Sequence, residues 1–105
     1  METLDAVVDT EFMHCWVPAS ILARLGVGPL ERRALQTPDG RLVEREMGEA
    51  VVSVDGKARV TLVGFGDEGT ESILGWHALH GFGLEVDPVH RRLVPLVARC
   101  RIVWR

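Results

Sequence analysis

Residues 6–11, Ala-Val-Val-Asp-Thr-Glu, form an apolar run that ends in an acid and a hydroxyl side by side. The run predicts a short buried strand that turns at Asp9 and Thr10. A charged side chain at the end of a buried strand needs a partner or a chemical task. A second apolar run, residues 72–75 (Ser-Ile-Leu-Gly), precedes a short helical stretch. We expect the two runs to meet and form one site.

Length and composition predict one domain of ordinary globular character, since the chain has 105 residues, 47% of them hydrophobic and 26% charged. The net charge of −3 does not favour a nucleic-acid binder. The N-terminus is acidic where a signal peptide would be basic, and no apolar run reaches the length of a membrane span. We therefore expect a cytoplasmic protein without a membrane association, in which Cys15 and Cys100 are free thiols.

Turn signals divide the rest of the chain into strands and two short helices. After an extended segment over 11–17, Pro18 begins a helix that Gly26 ends. Two hairpins follow, over 31–47 and 49–65. A second helical turn over 76–80 precedes strands at 84–87 and 91–97, and alternation predicts a C-terminal edge strand over about 98–105. Mostly strands with two one-turn helices predict an all-β, barrel-like domain over residues 1–105.

The first hairpin, residues 31–47, is unusually polar and turns at Pro38, Asp39 and Gly40. Proline fixes φ, aspartate accepts a hydrogen bond from its own backbone, and glycine accepts positive φ, so this tripeptide favours a tight turn. A hairpin with so few apolar side chains cannot be deeply packed. We expect it to project from the domain and to move.

The order of these parts resembles the retroviral-type (retropepsin-like) aspartic proteases, and more closely their bacterial single-domain relatives. The resemblance extends from about residue 6 to residue 96 and rests on two motifs taken together. One is Val-Val-Asp-Thr over residues 7–10, and the other is Ile73, Leu74 and Gly75. It implies an acid-protease half-barrel with one or two short helices that forms a homodimer.

The chemistry that the resemblance implies is cleavage of a peptide bond by an activated water. Each subunit would contribute one Asp9, and two carboxylates about 3 Å apart would share a proton. Thr10 would brace this dyad across the subunits. Pro38, Asp39 and Gly40 would form the tip of a flap over the substrate, and residues 73–75 would support the catalytic turn. The implied partner is a peptide or protein substrate, with no cofactor and no metal.

Two departures separate this chain from the family. The family motif is Asp-Thr-Gly, whereas Glu11 stands at the third position and adds bulk and negative charge to the site. The relatives also carry a further strand before the catalytic strand, and only eight residues precede Asp9 here. We expect the 98–105 strand to replace that strand at the dimer edge. The alternative function is an impaired dimer, with Glu11 in the site, that binds a peptide or protein.

Two further interpretations remain open. His77 and His80 are spaced to share a helical face and, with His14 and Cys15, suggest a metal site, although surface or capping histidines fit the pattern better because no third ligand has suitable spacing. The arginines of residues 91–105 suggest contact with nucleic-acid phosphate. The solvated face of an edge strand explains them more simply.

Overall fold

The computed structural model describes residues 4–36, 39–54 and 56–96. The elements over these residues are β1 (Ala6–Asp9), β2 (Cys15–Pro18), α1 (Ala19–Arg24), β3 (Glu31–Gln36), β4 (Leu42–Val54), β5 (Lys57–Gly66), β6 (Ser72–Gly75), α2 (Trp76–Gly81), β7 (Leu84–Asp87) and β8 (Arg92–Pro95). The predominance of strands confirms the predicted all-β class. The strand expected over 98–105 lies outside the described residues, as do Pro38 and Cys100.

Six strands form one sheet in the order β1-β6-β2-β5-β4-β3, and β7 and β8 form a separate two-stranded sheet. β1 runs parallel to β6 and β2 runs parallel to β5, whereas β2 and β6 are antiparallel and meet at Trp16 and Ile73. Parallel neighbours cannot be joined by a tight turn, so both parallel pairs depend on long connections. In the sheet, β6, which comes late in the chain, lies between β1 and β2.

The hydrophobic core collects side chains from β2, β5, β6 and both helices. Its buried members are Cys15, Leu22, Val63, Leu74, Ala78 and Leu79. Met47 of β4 is also completely buried. Burying a leucine, valine or methionine side chain contributes roughly 1.5–3 kcal/mol to stability. These few residues therefore supply much of the stability that a domain of this length can have.

A close approach between strands depends on Gly64 of β5. The register pairs Gly64 with Trp16, and a Cβ atom at Gly64 would lie 2.3 Å from the indole atoms Cε3 and Cζ3. The indole of Trp16 therefore lies directly over the backbone of β5. Only glycine leaves room for this contact.

α1 begins and ends where the sequence predicts. Pro18 is its N-cap, and Gly26 follows its C-terminus with φ +77°, where the amides of Gly26 and Val27 donate to carbonyls of the last turn. The first turn takes its cap from a distant loop, because the amide and hydroxyl of Ser20 both donate to the Glu68 carboxylate, at 2.8 and 2.9 Å. A carboxylate at a helix N-terminus also complements the helix dipole.

Both predicted hairpins are present, and they share one strand. β4 pairs with β3 from Leu42 to Met47 and with β5 from Met47 to Val54. Gly40 and Gly56, at the two turns, have φ +87° and +79°, as the turn chemistry predicts. β4 therefore runs without interruption from the exposed polar hairpin into the core.

Two local predictions are wrong. The segment over 11–17 is extended only from Cys15, because the chain turns first. β1 is also not a buried strand, since Val7 and Val8 keep 43% and 38% of their surface exposed. β1 ends the sheet and pairs only with β6, so nothing among the described residues covers its outer edge.

Replacing Gly64 with alanine should destabilise the protein by about 1–3 kcal/mol, because the new methyl group collides with Trp16. The free energy of unfolding in urea measures the effect. Gly28→Ala is the matched control: its Cβ would meet no atom within 4 Å, and we expect a change within about 0.5 kcal/mol. Equal stability of the two variants would contradict the packing described for Trp16.

Candidate functional site

The Asp9 side chain is held in a tight turn at the end of β1. Its Oδ1 accepts a hydrogen bond from the amide of Glu11 at 3.0 Å, and its carbonyl accepts one from the amide of Phe12 at 3.3 Å. These bonds form an Asx turn inside a β-turn and fix the direction of the carboxylate. Oδ2 accepts no hydrogen bond from the described residues. One carboxylate oxygen is therefore available to a second group.

The start of α2 supports this turn from behind. In the parallel pair β1–β6 Asp9 lies opposite Gly75, and the next two amides, of Trp76 and His77, donate to the carbonyls of Phe12 and Met13 at 2.9 and 3.1 Å. The first amides of a helix have no partner within the helix, so the segment after the Asp9 turn satisfies them. The turn and the helix thereby hold each other in place.

Gly75 allows this close contact. A Cβ atom there would lie 2.5 Å from the carbonyl oxygen of His14 and 2.6 Å from that of Met13. Leu74, one residue earlier, is buried in the core, and Ile73 is half-buried opposite Val7. The structure therefore brings the two predicted motifs together as neighbouring strands.

Thr10 is exposed and lines a cleft of about 340 Å³ between the Asp9 turn, α2 and β7. The other lining residues are Trp76, Leu79, His80, Glu85, Val86 and Pro88. The ring of Trp76 forms one wall and lies 5.4 Å from the ring of His80, centre to centre. This cleft is therefore lined by an aromatic residue, Trp76, and by an acidic residue, Glu85.

Glu11, the departure from the family motif, is exposed. Its amide takes part in the Asp9 turn, whereas its carboxylate makes no hydrogen bond or ion pair with the described residues. The hydrogen bonds of the Asp9 turn therefore form with glutamate at position 11. The departure therefore adds an exposed acidic residue two positions after Asp9.

The predicted flap residues lie elsewhere in the single chain. Asp39 and Gly40 form the tip of the β3–β4 hairpin, where the Asp39 carboxylate accepts a hydrogen bond from Arg41 Nε at 3.0 Å. β3 ends the sheet on the side opposite β1. Within the sheet, the strand order thus puts the tip and the Asp9 turn on different edges.

His14 is a feature that the sequence does not reveal. Its side chain is only 8% exposed, and its Nδ1 has no hydrogen-bond partner in the described part of the chain. Burial lowers the pKa of His14 below its usual value; the positive charge of Arg33 and the ring of His77 lower it further, and Glu31 opposes them. His14 is thus buried beside the Asp9 turn, where it interacts electrostatically with Arg33 and Glu31 of β3 and with His77 of α2.

The remaining candidate ligands do not assemble. Within residues 4–36, 39–54 and 56–96, no group of three or more His, Cys, Asp or Glu side chains is arranged to hold a metal ion. Cys15 is a free thiol whose pKa is raised by burial, which makes it a poor nucleophile. Neither His14 nor Cys15 therefore belongs to a metal site formed by these residues.

Comparison of the chain with protein-family models, with curated proteins and with solved structures found no match. Among the described helices, none is long and apolar enough to cross a bilayer.

The stability of the protein should depend on the ionisation of His14. The unfolded chain, in which histidine has a pKa of about 6.5, binds a proton more readily than the folded chain. The contribution of the neutral His14 to stability is therefore fully present above about pH 6.5. It is lost as the pH falls toward the lowered pKa of His14 in the folded state.

The free energy of unfolding, measured at about pH 7 and about pH 5, checks this expectation. The loss between these values should be smaller in His14→Gln than in the wild type. His80→Gln, which replaces an exposed histidine, should keep the wild-type dependence. Parallel pH curves for the wild type and His14→Gln would show that His14 is not the responsible group.

Proposed function

We propose that this protein is an aspartic endopeptidase of the retropepsin-like type, in which two copies each contribute Asp9. The geometry of Asp9 carries the proposal: its Oδ1 is fixed by the Glu11 amide, and its Oδ2 has no partner among the described residues. One carboxylate can accept a proton but cannot also supply one at the same moment. A second copy would complete the acid–base pair.

The reaction follows from two carboxylates that share one proton. The ionised Asp9 takes a proton from a bound water, and the resulting hydroxide attacks the carbonyl carbon of the peptide bond. The protonated Asp9 of the other copy donates its proton to the carbonyl oxygen. When the tetrahedral intermediate collapses, the Asp9 that took the proton from water gives it to the leaving nitrogen. A hydroxyl proton of the intermediate returns to the other Asp9 as the carbonyl forms again.

The surroundings of Asp9 support this role. The bonds from α2 to Phe12 and Met13 fix the turn, so the carboxylate does not have to be ordered at the moment of reaction. The Thr10 hydroxyl is exposed next to Asp9, where a second copy could accept its hydrogen bond. Such a bond would hold the two turns in register.

The β3–β4 hairpin is suited to the role of a flap. Its ion pairs are well exposed, such as Arg32 with Glu44 at 3.5 Å and Arg32 with Glu46 at 3.7 Å. Exposed pairs contribute little stability, so they would not prevent the hairpin from moving. Closure over a bound peptide would exclude water from the reaction.

A second candidate function follows from Glu11. Two copies of its carboxylate would stand beside the two Asp9 side chains and repel them, and their bulk would narrow the approach of a substrate backbone. The same dimer would then bind an extended peptide or a partner protein without cleaving it.

The protease proposal is tested by Asp9→Asn. Asparagine keeps the size of the side chain but cannot accept the proton, so cleavage of a peptide library should fall at least about 100-fold. Asp5→Asn, which changes an exposed aspartate nearby, should leave the rate unaltered. A statine-type transition-state mimic should inhibit the wild type. Cleavage that persists in Asp9→Asn would rule out the mechanism.

The role of Glu11 is tested by two substitutions. Glu11→Gln removes the charge and keeps the bulk, whereas Glu11→Gly removes both. If repulsion limits the rate near neutral pH, both variants should cleave several-fold faster than the wild type, and a further gain in Glu11→Gly would measure the effect of bulk. Unchanged or slower cleavage in both variants would contradict the repulsion, and no cleavage by any of the three proteins would favour the binding function.

A further inference from the structure

The outer edge of β1 is an unusual surface for a chain that acts alone. β1 is an end strand, and it carries exposed aliphatic side chains at Val7 and Val8, with Leu4 just before it exposed to 37%. Exposed edge strands are normally protected by charge, proline or a covering segment, because their free amides and carbonyls pair readily with other strands. No strand among the described residues pairs with this edge.

Two clefts adjoin this edge and share a wall. The first, of about 340 Å³, is lined by Thr10 and by residues of α2 and β7. The second, of about 360 Å³, is lined by Val8, Val86, Pro88, Arg91, Arg92 and Leu93. Val86 and Pro88 belong to both. The two clefts therefore form one continuous surface on either side of these two residues.

The clefts carry opposite charges. Glu85 is in the first cleft, and Arg91 and Arg92 are in the second. Arg92 lies 3.8 Å from the Asp87 carboxylate. The side chains of Glu85 and Arg91 form no hydrogen bond or ion pair with the described residues. Glu85 and Arg91 thus lie on the same surface, and they do not form an ion pair with each other.

The backbone of Arg91 is also unusual. It has φ +53°, a left-handed conformation that no other non-glycine residue in the described part of the chain adopts. The turn is fixed by Asp87, whose carboxylate accepts hydrogen bonds from the amides of Val89 and His90 and contacts His90 Nδ1 at 2.8 Å. Glycine or asparagine would fit this position with less strain. A strained arginine therefore suggests a role for its side chain.

We infer that this surface binds a second copy of the chain, with Arg91 of each copy entering the Trp76–Glu85 cleft of the other. A guanidinium there can lie against the Trp76 ring and pair with the Glu85 carboxylate. In a two-fold interface every contact occurs twice, so one charged pair per cleft satisfies both arginines and both acids. The inference rests on the proposed function, since it names the surface through which the two Asp9 residues meet.

The position of the symmetry axis agrees with that role. An axis near the shared wall of Val86 and Pro88 would place the first cleft of each copy opposite the second cleft of the other. Val8 lines one cleft and Thr10 lines the other, and Asp9 is the residue between them. The same axis therefore brings the two Asp9 turns toward each other. Covering Val8, which lines the second cleft and is 38% exposed, also removes apolar surface from water.

Another exposed apolar patch lacks these features. Val51 and Val60 are paired across β4 and β5 and are 70% and 64% exposed. Neither residue lines either of the two clefts described above. We therefore assign the second copy to the β1, β7 and β8 surface.

Charge reversal tests the interface, with the monomer–dimer dissociation constant measured by sedimentation. Glu85→Arg and Arg91→Glu should each raise this constant at least about tenfold, because each places like charges together in both clefts. The double variant Glu85→Arg/Arg91→Glu should restore it to within about threefold, because the pair is only exchanged. Arg91→Gly should also weaken the dimer while the monomer remains folded, since glycine relieves the left-handed backbone.

Glu49→Arg and Arg59→Glu are matched controls, since they make the same charge changes at exposed positions of β4 and β5. Both should keep the wild-type dissociation constant. A wild type that stays monomeric, single reversals that behave like the controls, or a double variant that fails to recover would each overturn the interface. Dissociation by the controls as well would assign the effect to net charge and would also overturn it.

The cleavage assay separates this inference from the protease proposal. If the wild type dimerises through this surface but does not cleave peptides, the interface stands and the peptidase does not. If Asp9→Asn abolishes cleavage while the charge reversals leave the dimer intact, the peptidase stands and the interface lies elsewhere. A cationic peptide that bound the Trp76–Glu85 cleft of a strictly monomeric protein would replace the second copy as its occupant.

Discussion

The parallel pairing of β1 with β6 is the contact on which the rest of the site depends. It places Asp9 opposite Gly75, and the absence of a side chain at Gly75 lets the carbonyls of Met13 and His14 approach within a distance that a Cβ atom would forbid. The amides that begin α2 then find their partners in the same segment. A single small residue thus joins a turn, a strand and a helix into one rigid unit.

This unit explains why a carboxylate can stand at the end of a strand without an ion pair. Its orientation comes from backbone hydrogen bonds, which are local and do not neutralise its charge. A paired arginine or lysine would hinder the proposed sharing of a proton between two Asp9 carboxylates, because either cation would favour the ionised form.

Features controlled by neighbouring residues could be predicted from the sequence. Gly26, Gly40 and Gly56 have positive φ where turn and helix-end chemistry requires it, and the strands on either side of these turns pair as expected. The meeting of the Asp9 and Gly75 segments also follows from their patterns. By contrast, the exposure of β1 depends on its place at the end of the sheet, which a local pattern does not encode.

The burial of His14 could not be predicted for the same reason. Its surroundings come from β3 and α2, which are far from it in the sequence, so no periodicity around residue 14 reveals them. The charge separation between Glu85 and Arg91 is likewise visible only when the two clefts are seen together. Residues that act across elements are therefore the ones for which structure adds most.

The continuity of β4 has a mechanical consequence. A hairpin that is joined to a domain by loops can move about those loops as a hinge. Here the same strand, β4, forms one side of the polar hairpin and one side of the core hairpin. The pairing of β4 changes from β3 to β5 at Met47, which is completely buried and anchors the strand in the protein interior. If the tip of the β3–β4 hairpin moves, residues 42–46 of β4 would have to twist, because the strand is anchored at Met47. The hydrogen-bonded ladder between β3 and β4 would then determine how stiff the hairpin is.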